Sequence, residues 1–278
     1  MPVFTTTEGL RIHYERFGSQ GPALVLLHGL GSSWEIWTPQ IDLLSRYFQL
    51  YLFDYPGHGD SANTIQHTIT RYTAILGEFM DTHSIGQAHL MGISLGCSVA
   101  LTYGCANPER IASLVLQGPA GAIAPPWSPL AWPKILILLT YLLTLVMLRV
   151  ILGKRRLVWL MNIVPVQTGR YHPLLARIEL PASPLAKIAL TLQSAYPPYI
   201  GKLRSITAPT LVIRGENDHC PIRYYQYVVD HVSGPSEMIS IPGGKHVISL
   251  DNPEAYNQAC LAFYRRILPN HPLLFSDV

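Results

Sequence analysis

Charge is what this sequence has least of. Only 13% of its 278 residues are Asp, Glu, Lys or Arg, about half the usual share, whereas 49% are hydrophobic. So large an apolar excess has to cover more than an ordinary core. Cysteine is also scarce. Cys97, Cys105, Cys220 and Cys260 form no C-x-x-C pair and no metal-ligand spacing, so reduced, structural thiols in a cytoplasmic chain are expected. An H-E-x-x-H helix and a glycine-rich phosphate loop are both missing, and neither metal nor cofactor is expected. Nucleic acid is not expected as a partner. Met1-Pro2-Val3-Phe4-Thr5 lacks the basic-then-apolar pattern of a secretory leader. There is no internal repeat and no low-complexity tract. The length suits one large domain, or one domain carrying an insertion.

What is present is organised around Gly92-Ile93-Ser94-Leu95-Gly96. Gln87 to Met91 reads as a short apolar strand, and Leu95 to Ala106, rich in Ala, Leu and Val, as a helix. A G-x-S-x-G between strand and helix is a nucleophile elbow. The turn is tight enough to strain Ser94 and to demand small neighbours at 92 and 96. It also aims the N-terminal N–H groups of the helix at charge developing above the serine.

The flanking chain alternates strands with helices. Residues 10–17 alternate in polarity as one arm of a hairpin. Ala23–Leu27 is a continuous apolar run suited to a strand buried on both faces. Strands at 49–53, 111–117, 209–214 and 236–240 and helices at 71–83, 221–231 and 253–267 complete a mostly parallel sheet covered on both sides. Residues 119–200 break this rhythm. They hold eight basic residues and one acid, Glu179, a net +7, so the rest of the chain carries −4 of the overall +3.

His28-Gly29-Leu30-Gly31, Asp54-Tyr55-Pro56-Gly57-His58-Gly59-Asp60-Ser61, the elbow, Gly215-Glu216-Asn217-Asp218 and Gly243-Gly244-Lys245-His246 occur in that order. Together they resemble the α/β-hydrolase superfamily. The resemblance covers residues 10–118 and 205–268. It implies an α/β fold with a core formed by 1–118 and 201–278 and a helical, apolar and basic cap at 119–200. Cys97 departs from the pattern, since many relatives carry a second glycine there; a structural role is expected for it.

A serine hydroxyl needs a base to take its proton and a third group to hold that base. In this superfamily the order is serine, acid, histidine. His246 follows the last strand; His219, beside the presumed acid, is its main competitor. His28 and His58 read as turn residues, and His89 as a hydrogen-bonded core histidine. The resemblance allows the acid to follow either of two strands. No acid lies between Arg110 and Ile178, which leaves Asp218, with Glu216 as the lesser alternative. Asp251 reads as the start of the helix before Pro253. The backbone N–H groups of Leu30 and Leu95 are the expected oxyanion donors, and an apparent pKa of roughly 6–7 is expected for the base.

Ile135 to Leu148 is 14 residues without charge, followed closely by Lys154-Arg155-Arg156. Three readings stay open: a helix buried against the core, a helix offering an apolar face to lipid or a greasy substrate, and a membrane span. A single span would put Ser94 on one side of a bilayer and Asp218 and His246 on the other, so the triad could not assemble. The expectation is a serine hydrolase of a small-molecule carboxylic ester, lipophilic rather than short and soluble, with peripheral membrane contact through 134–156. The alternatives are a C–C bond hydrolase of ring-fission products and a non-hydrolytic binding or docking module.

Overall fold

The structure is a computed structural model that describes residues 2–119, 183–194 and 196–270, together with six single positions between 136 and 151. Most of residues 119–200, expected from the sequence to form a cap and including Lys154-Arg155-Arg156, and residues 271–278 lie outside the described residues.

The strands are β1 (Val3–Thr5), β2 (Arg11–Phe17), β3 (Ala23–Leu27), β4 (Gln49–Phe53), β5 (Ala88–Ile93), β6 (Ile111–Gln117), β7 (Thr210–Gly215) and β8 (Ser236–Ile241). They form one sheet in the order β1-β2-β4-β3-β5-β6-β7-β8. β1 and β2 are antiparallel to their neighbours, and β3 to β8 run parallel.

The unbroken apolar runs are explained by a core on each face. Val25, Leu27, Leu90, Leu114, Leu116 and Val212 point to one side, under Ile75, Leu76, Phe79 and Val99 of the helices Ile69–Thr82 and Leu95–Ala106. Leu24, Leu26, Met91, Val115, Leu211 and Ile213 point to the other, under Ile41, Leu44, Phe263 and Tyr264 of the helices Thr38–Leu44 and Pro253–Ile267. Each such buried side chain contributes about 1.5–3 kcal/mol relative to exposure. A polar residue on these strands therefore needs a partner: His89 Nδ1 lies 2.7 Å from Ser113 Oγ on the adjacent strand.

Two helix starts follow from capping. Thr68 accepts a hydrogen bond from the Arg71 N–H at 3.0 Å, so the second helix begins at Ile69, two residues before the expected start. The last helix is capped by Asn252, which accepts from the Ala255 N–H at 3.2 Å. Asp251 is not that cap. It ends the short helix Ile248–Asp251 and accepts from the Lys245 N–H at 3.1 Å. An amide oxygen next to Pro253 meets the free N–H groups, and the aspartate is turned back to the loop before it.

Between β3 and β5 the chain changes its winding direction, because β4 lies on one side of β3 and β5 on the other. The carboxyl ends of strands at such a point leave a crevice. The loops after β3, β5, β6, β7 and β8 open at this end of the sheet.

Candidate active site

The elbow is as tight as the glycine spacing requires. Ser94 has φ 52° and ψ −110°, in the left-handed region that non-glycine residues rarely adopt. A Cβ at Gly92 would lie 2.7 Å from the Gly96 carbonyl carbon. One at Gly96 would lie 2.0 Å from the Leu27 carbonyl oxygen. Gly92 is thus needed by the turn itself, whereas Gly96 is needed because the helix Leu95–Ala106 leans on β3. Leu95 is the first residue of that helix, so its N–H has no carbonyl four residues back within the helix. Cys97 is buried, its thiol 3.1 Å from both the Gly92 and Gln117 carbonyl oxygens, and burial holds it protonated, well above the usual thiol range. It packs the base of the elbow.

Asp218 and His246 are brought together from loops after β7 and β8, with His246 Nδ1 2.9 Å from Asp218 Oδ2. The loops are tied by a hydrogen bond from the Asn217 N–H to the Gly244 carbonyl at 2.8 Å. Asp218 Oδ1 accepts from the Cys220 N–H at 2.8 Å, and Oδ2 also accepts from the Tyr225 hydroxyl. Burial alone would raise the Asp218 pKa. The hydrogen bond and charge of His246, with the Cys220 and Tyr225 donors, outweigh it and hold the carboxyl well below its ordinary range. For His246 burial acts downward, but its hydrogen bonds to Asp218 and Cys220 raise it above the ordinary imidazole value.

The competing histidine is placed differently. His219 Nδ1 is 3.5 Å from Asp218 Oδ1, and its side chain is 77% exposed. Glu216 turns away and accepts from the Gly243 N–H at 3.1 Å.

Ser94 and His246 both border the end of β6. The Ser94 N–H donates to the Gln117 carbonyl at 2.8 Å, and Gln117 Nε2 donates to the His246 carbonyl at 3.0 Å. A Cβ on Gly118 would come within 2.7 Å of His246 Cε1. Among the described residues the Ser94 hydroxyl makes no hydrogen bond, so the structure joins acid to histidine and brings the serine to the same strand end. Such contacts commonly tighten only with substrate bound.

Leu30 lies in the loop after β3, which passes the elbow closely: a Cβ on Gly29 would be 3.7 Å from Ser94 Cβ. His28 shapes this loop. Its Nε2 accepts from the Tyr55 N–H at 3.1 Å, so Nδ1 carries the proton and donates to the Gly29 carbonyl at 2.8 Å. His28 is fully buried, and that burial lowers its pKa. His58 is likewise buried and held neutral, with Nδ1 3.1 Å from the Pro56 carbonyl oxygen. Asp54 ties the next loop down, accepting from the Trp34 N–H at 2.7 Å and the Asp60 N–H at 3.1 Å. Above the site, Ser183 donates its N–H to the Gly57 carbonyl at 2.7 Å, and Gln193 of the helix Pro184–Ser194 holds the His67 carbonyl and the Ile69 N–H.

Tyr225, Cys220 and Gln117 were not legible as site residues. Tyr225 could have been found, since its position one helical step into 221–231 faces back to Asp218. Gln117 carries no local signal.

A serine elbow, a histidine hydrogen-bonded to a buried aspartate and an eight-stranded mostly parallel sheet together define a class of fold. The model of the alpha/beta hydrolase family matches residues 24–259, and the chain belongs to that family. It is similar to the pimeloyl-[acyl-carrier protein] methyl ester esterase of Aeromonas hydrophila, 36% identical over 135 residues, 46% of this chain and 49% of the relative. It is 37% identical over 116 residues to the 2-hydroxy-6-oxononadienedioate/2-hydroxy-6-oxononatrienedioate hydrolase of Burkholderia vietnamiensis, 39% of this chain and 40% of that one. The chain thus spans half or less of the length of these relatives. An esterase from Exiguobacterium antarcticum shares the fold, with a TM-score of 0.80 over 95% of this chain and 98% of that one at 19% identity.

Proposed function

We propose that this hydrolase cleaves a lipophilic carboxylic ester through an acyl-enzyme on Ser94. The observation that carries the reading is the Asp218–His246 hydrogen bond, set at the same end of the sheet as the strained serine. His246 Nε2 takes the Ser94 proton as Oγ attacks the ester carbonyl. The oxyanion is held by the Leu30 and Leu95 N–H groups, each such donor contributing about 3 kcal/mol to the transition state. His246 then protonates the departing alcohol, and the same base activates water to release the acid. Asp218 keeps the imidazole in the tautomer with its proton on Nδ1. Relatives include both a methyl ester esterase and a 2-hydroxy-6-oxononadienedioate/2-hydroxy-6-oxononatrienedioate hydrolase; the apolar 119–200 segment favours a lipophilic ester over a dicarboxylate. In this reading residues 119–200 form a cap over the core.

Turnover of 4-nitrophenyl esters of increasing chain length tests this. Ser94→Ala and His246→Ala are each expected to abolish turnover, with His219→Ala active. An inactive His219→Ala beside an active His246→Ala would overturn the assignment of the base.

Leu136, Leu143, Met147 and Ile151 are helical and 56–68% exposed, and their spacing of seven and four residues puts them on one helical face. Thr140 and Thr144 share it, and their hydroxyls donate back to the Leu136 and Thr140 carbonyls at 2.9 and 2.8 Å, so their polar groups are satisfied internally. Lys154-Arg155-Arg156 follow in the sequence. An apolar face beside a basic cluster suits an anionic lipid surface. Among the described residues no helix is long and apolar enough to cross a membrane.

A further inference from the structure

Two side chains beside the Asp–His pair, His219 and Cys220, carry out no step of the proposed hydrolysis. We propose that they complete, with Asp218 and His246, a site for a borderline-soft divalent cation of the Zn2+ type, and that filling it switches the hydrolase off.

The ligating atoms of Asp218, His219, Cys220 and His246 all lie within 4.8 Å of one another. Cys220 Sγ is 3.7 Å from His246 Nδ1, and His219 Nδ1 is 3.5 Å from Asp218 Oδ1. Tetrahedral zinc with Zn–S of about 2.3 Å and Zn–N of about 2.05 Å places those ligands about 3.6 Å apart. Corresponding N and O ligands stand about 3.3 Å apart. Three of the four ligands are consecutive residues of the loop after β7, and the fourth comes from the loop after β8. The His219 and His246 ring centroids are 5.1 Å apart. His246 Nδ1 and Asp218 Oδ2, at 2.9 Å, must separate slightly to admit the ion.

The donor set selects the ion. One thiolate, two imidazoles and one carboxylate match Zn2+ and exclude Mg2+ and Ca2+, which take oxygen ligands. Access is provided by His219, whose side chain is mostly exposed.

The consequence follows from the imidazole. Its Nδ1 lone pair is free for a metal only when the ring proton sits on Nε2, because a neutral imidazole has one donor and one acceptor nitrogen. Binding therefore moves the ring proton from Nδ1 to Nε2 and releases the Cys220 thiol proton to solvent. A protonated Nε2 cannot accept the Ser94 proton. Inhibition thus rests on the proposed role of His246, but binding of the metal does not.

Co2+ serves as a coloured probe for binding and Zn2+ for inhibition. Titrating the full chain with Co2+ is expected to saturate at one ion per chain with a thiolate-to-cobalt charge-transfer band. That band should be absent in Cys220→Ala, and His219→Ala, an exposed position, should weaken binding at least tenfold. Zn2+ should lower ester turnover of the unaltered protein more than tenfold, reversibly on chelation. Cys220→Ala, read against its own zinc-free rate, should need at least ten times more Zn2+ for the same fractional loss. No band in the unaltered protein, or an undiminished band in Cys220→Ala, would overturn the site. A band with no turnover under any condition would retain the site and reject the hydrolase reading.

Discussion

The Asp218–His246 pair makes predictions at the scale of single residues. His246 must be neutral to act as base, and Asp218 and Cys220 raise its pKa above 6.5. A base with a raised pKa loses its proton only at higher pH, so kcat/KM should climb with pH along a limb centred above 6.5. That is higher than the roughly 6–7 expected from the sequence, because the flanking thiol and the buried carboxylate lie outside what spacing alone reveals. A stopped assay across pH 5–9 reads it, and activity falling through that interval would contradict the role. Asp218 remains ionised throughout. Replacing it by Asn should lower kcat by about 10⁴-fold through loss of the correct tautomer. Tyr225→Phe removes one donor to Asp218. A net hydrogen bond of about 1 kcal/mol corresponds to roughly fivefold in kcat/KM, and the fold should be retained.

Elements were legible where a strong local pattern existed. Ala23–Leu27 is a continuous apolar run, Ile111–Gln117 is mainly apolar with Ser113 and the final Gln117 as its polar members, and both are strands buried on two faces. The elbow, the Asp218 loop and the His246 loop each carry glycines beside the residue of interest. What remained illegible depends on contacts between distant parts of the chain. Gln117 and His246 are 129 positions apart, and nothing near Gln117 marks it as the link between the serine and histidine loops. The helix start at Asn252 rather than Asp251 was missed because both are good caps, and only the Lys245 N–H decides between them. Gly96 tests how the elbow is seated. Gly96→Ala would press a methyl group against the Leu27 carbonyl, with no flexible side chain to give way. It should destabilise the fold by about 3 kcal/mol, the upper end for overpacking, measured by urea denaturation. A loss under 0.5 kcal/mol would mean that the helix Leu95–Ala106 does not lean on β3.

At the scale of the whole molecule, charge is divided unevenly along the chain: residues 119–200 carry a net +7 and the remainder −4. Each basic residue near an anionic bilayer adds about 1 kcal/mol, so in the proposed membrane contact Lys154, Arg155 and Arg156 would add about 3 kcal/mol. This attraction is screened over about 8–10 Å at physiological salt. Co-sedimentation with anionic vesicles should therefore weaken as salt rises, and replacing the three residues by glutamine should reduce it while leaving a short soluble ester as substrate. Protein that stays in the supernatant at low salt would contradict the membrane contact. The central claim is narrower, that Ser94 is the nucleophile, and covalent labelling tests it most directly. Treatment with a fluorophosphonate followed by peptide mapping should show a single phosphonyl adduct on the peptide containing Ser94, absent in Ser94→Ala and slowed in His246→Ala. An unlabelled protein, or an adduct on any other residue, would contradict it.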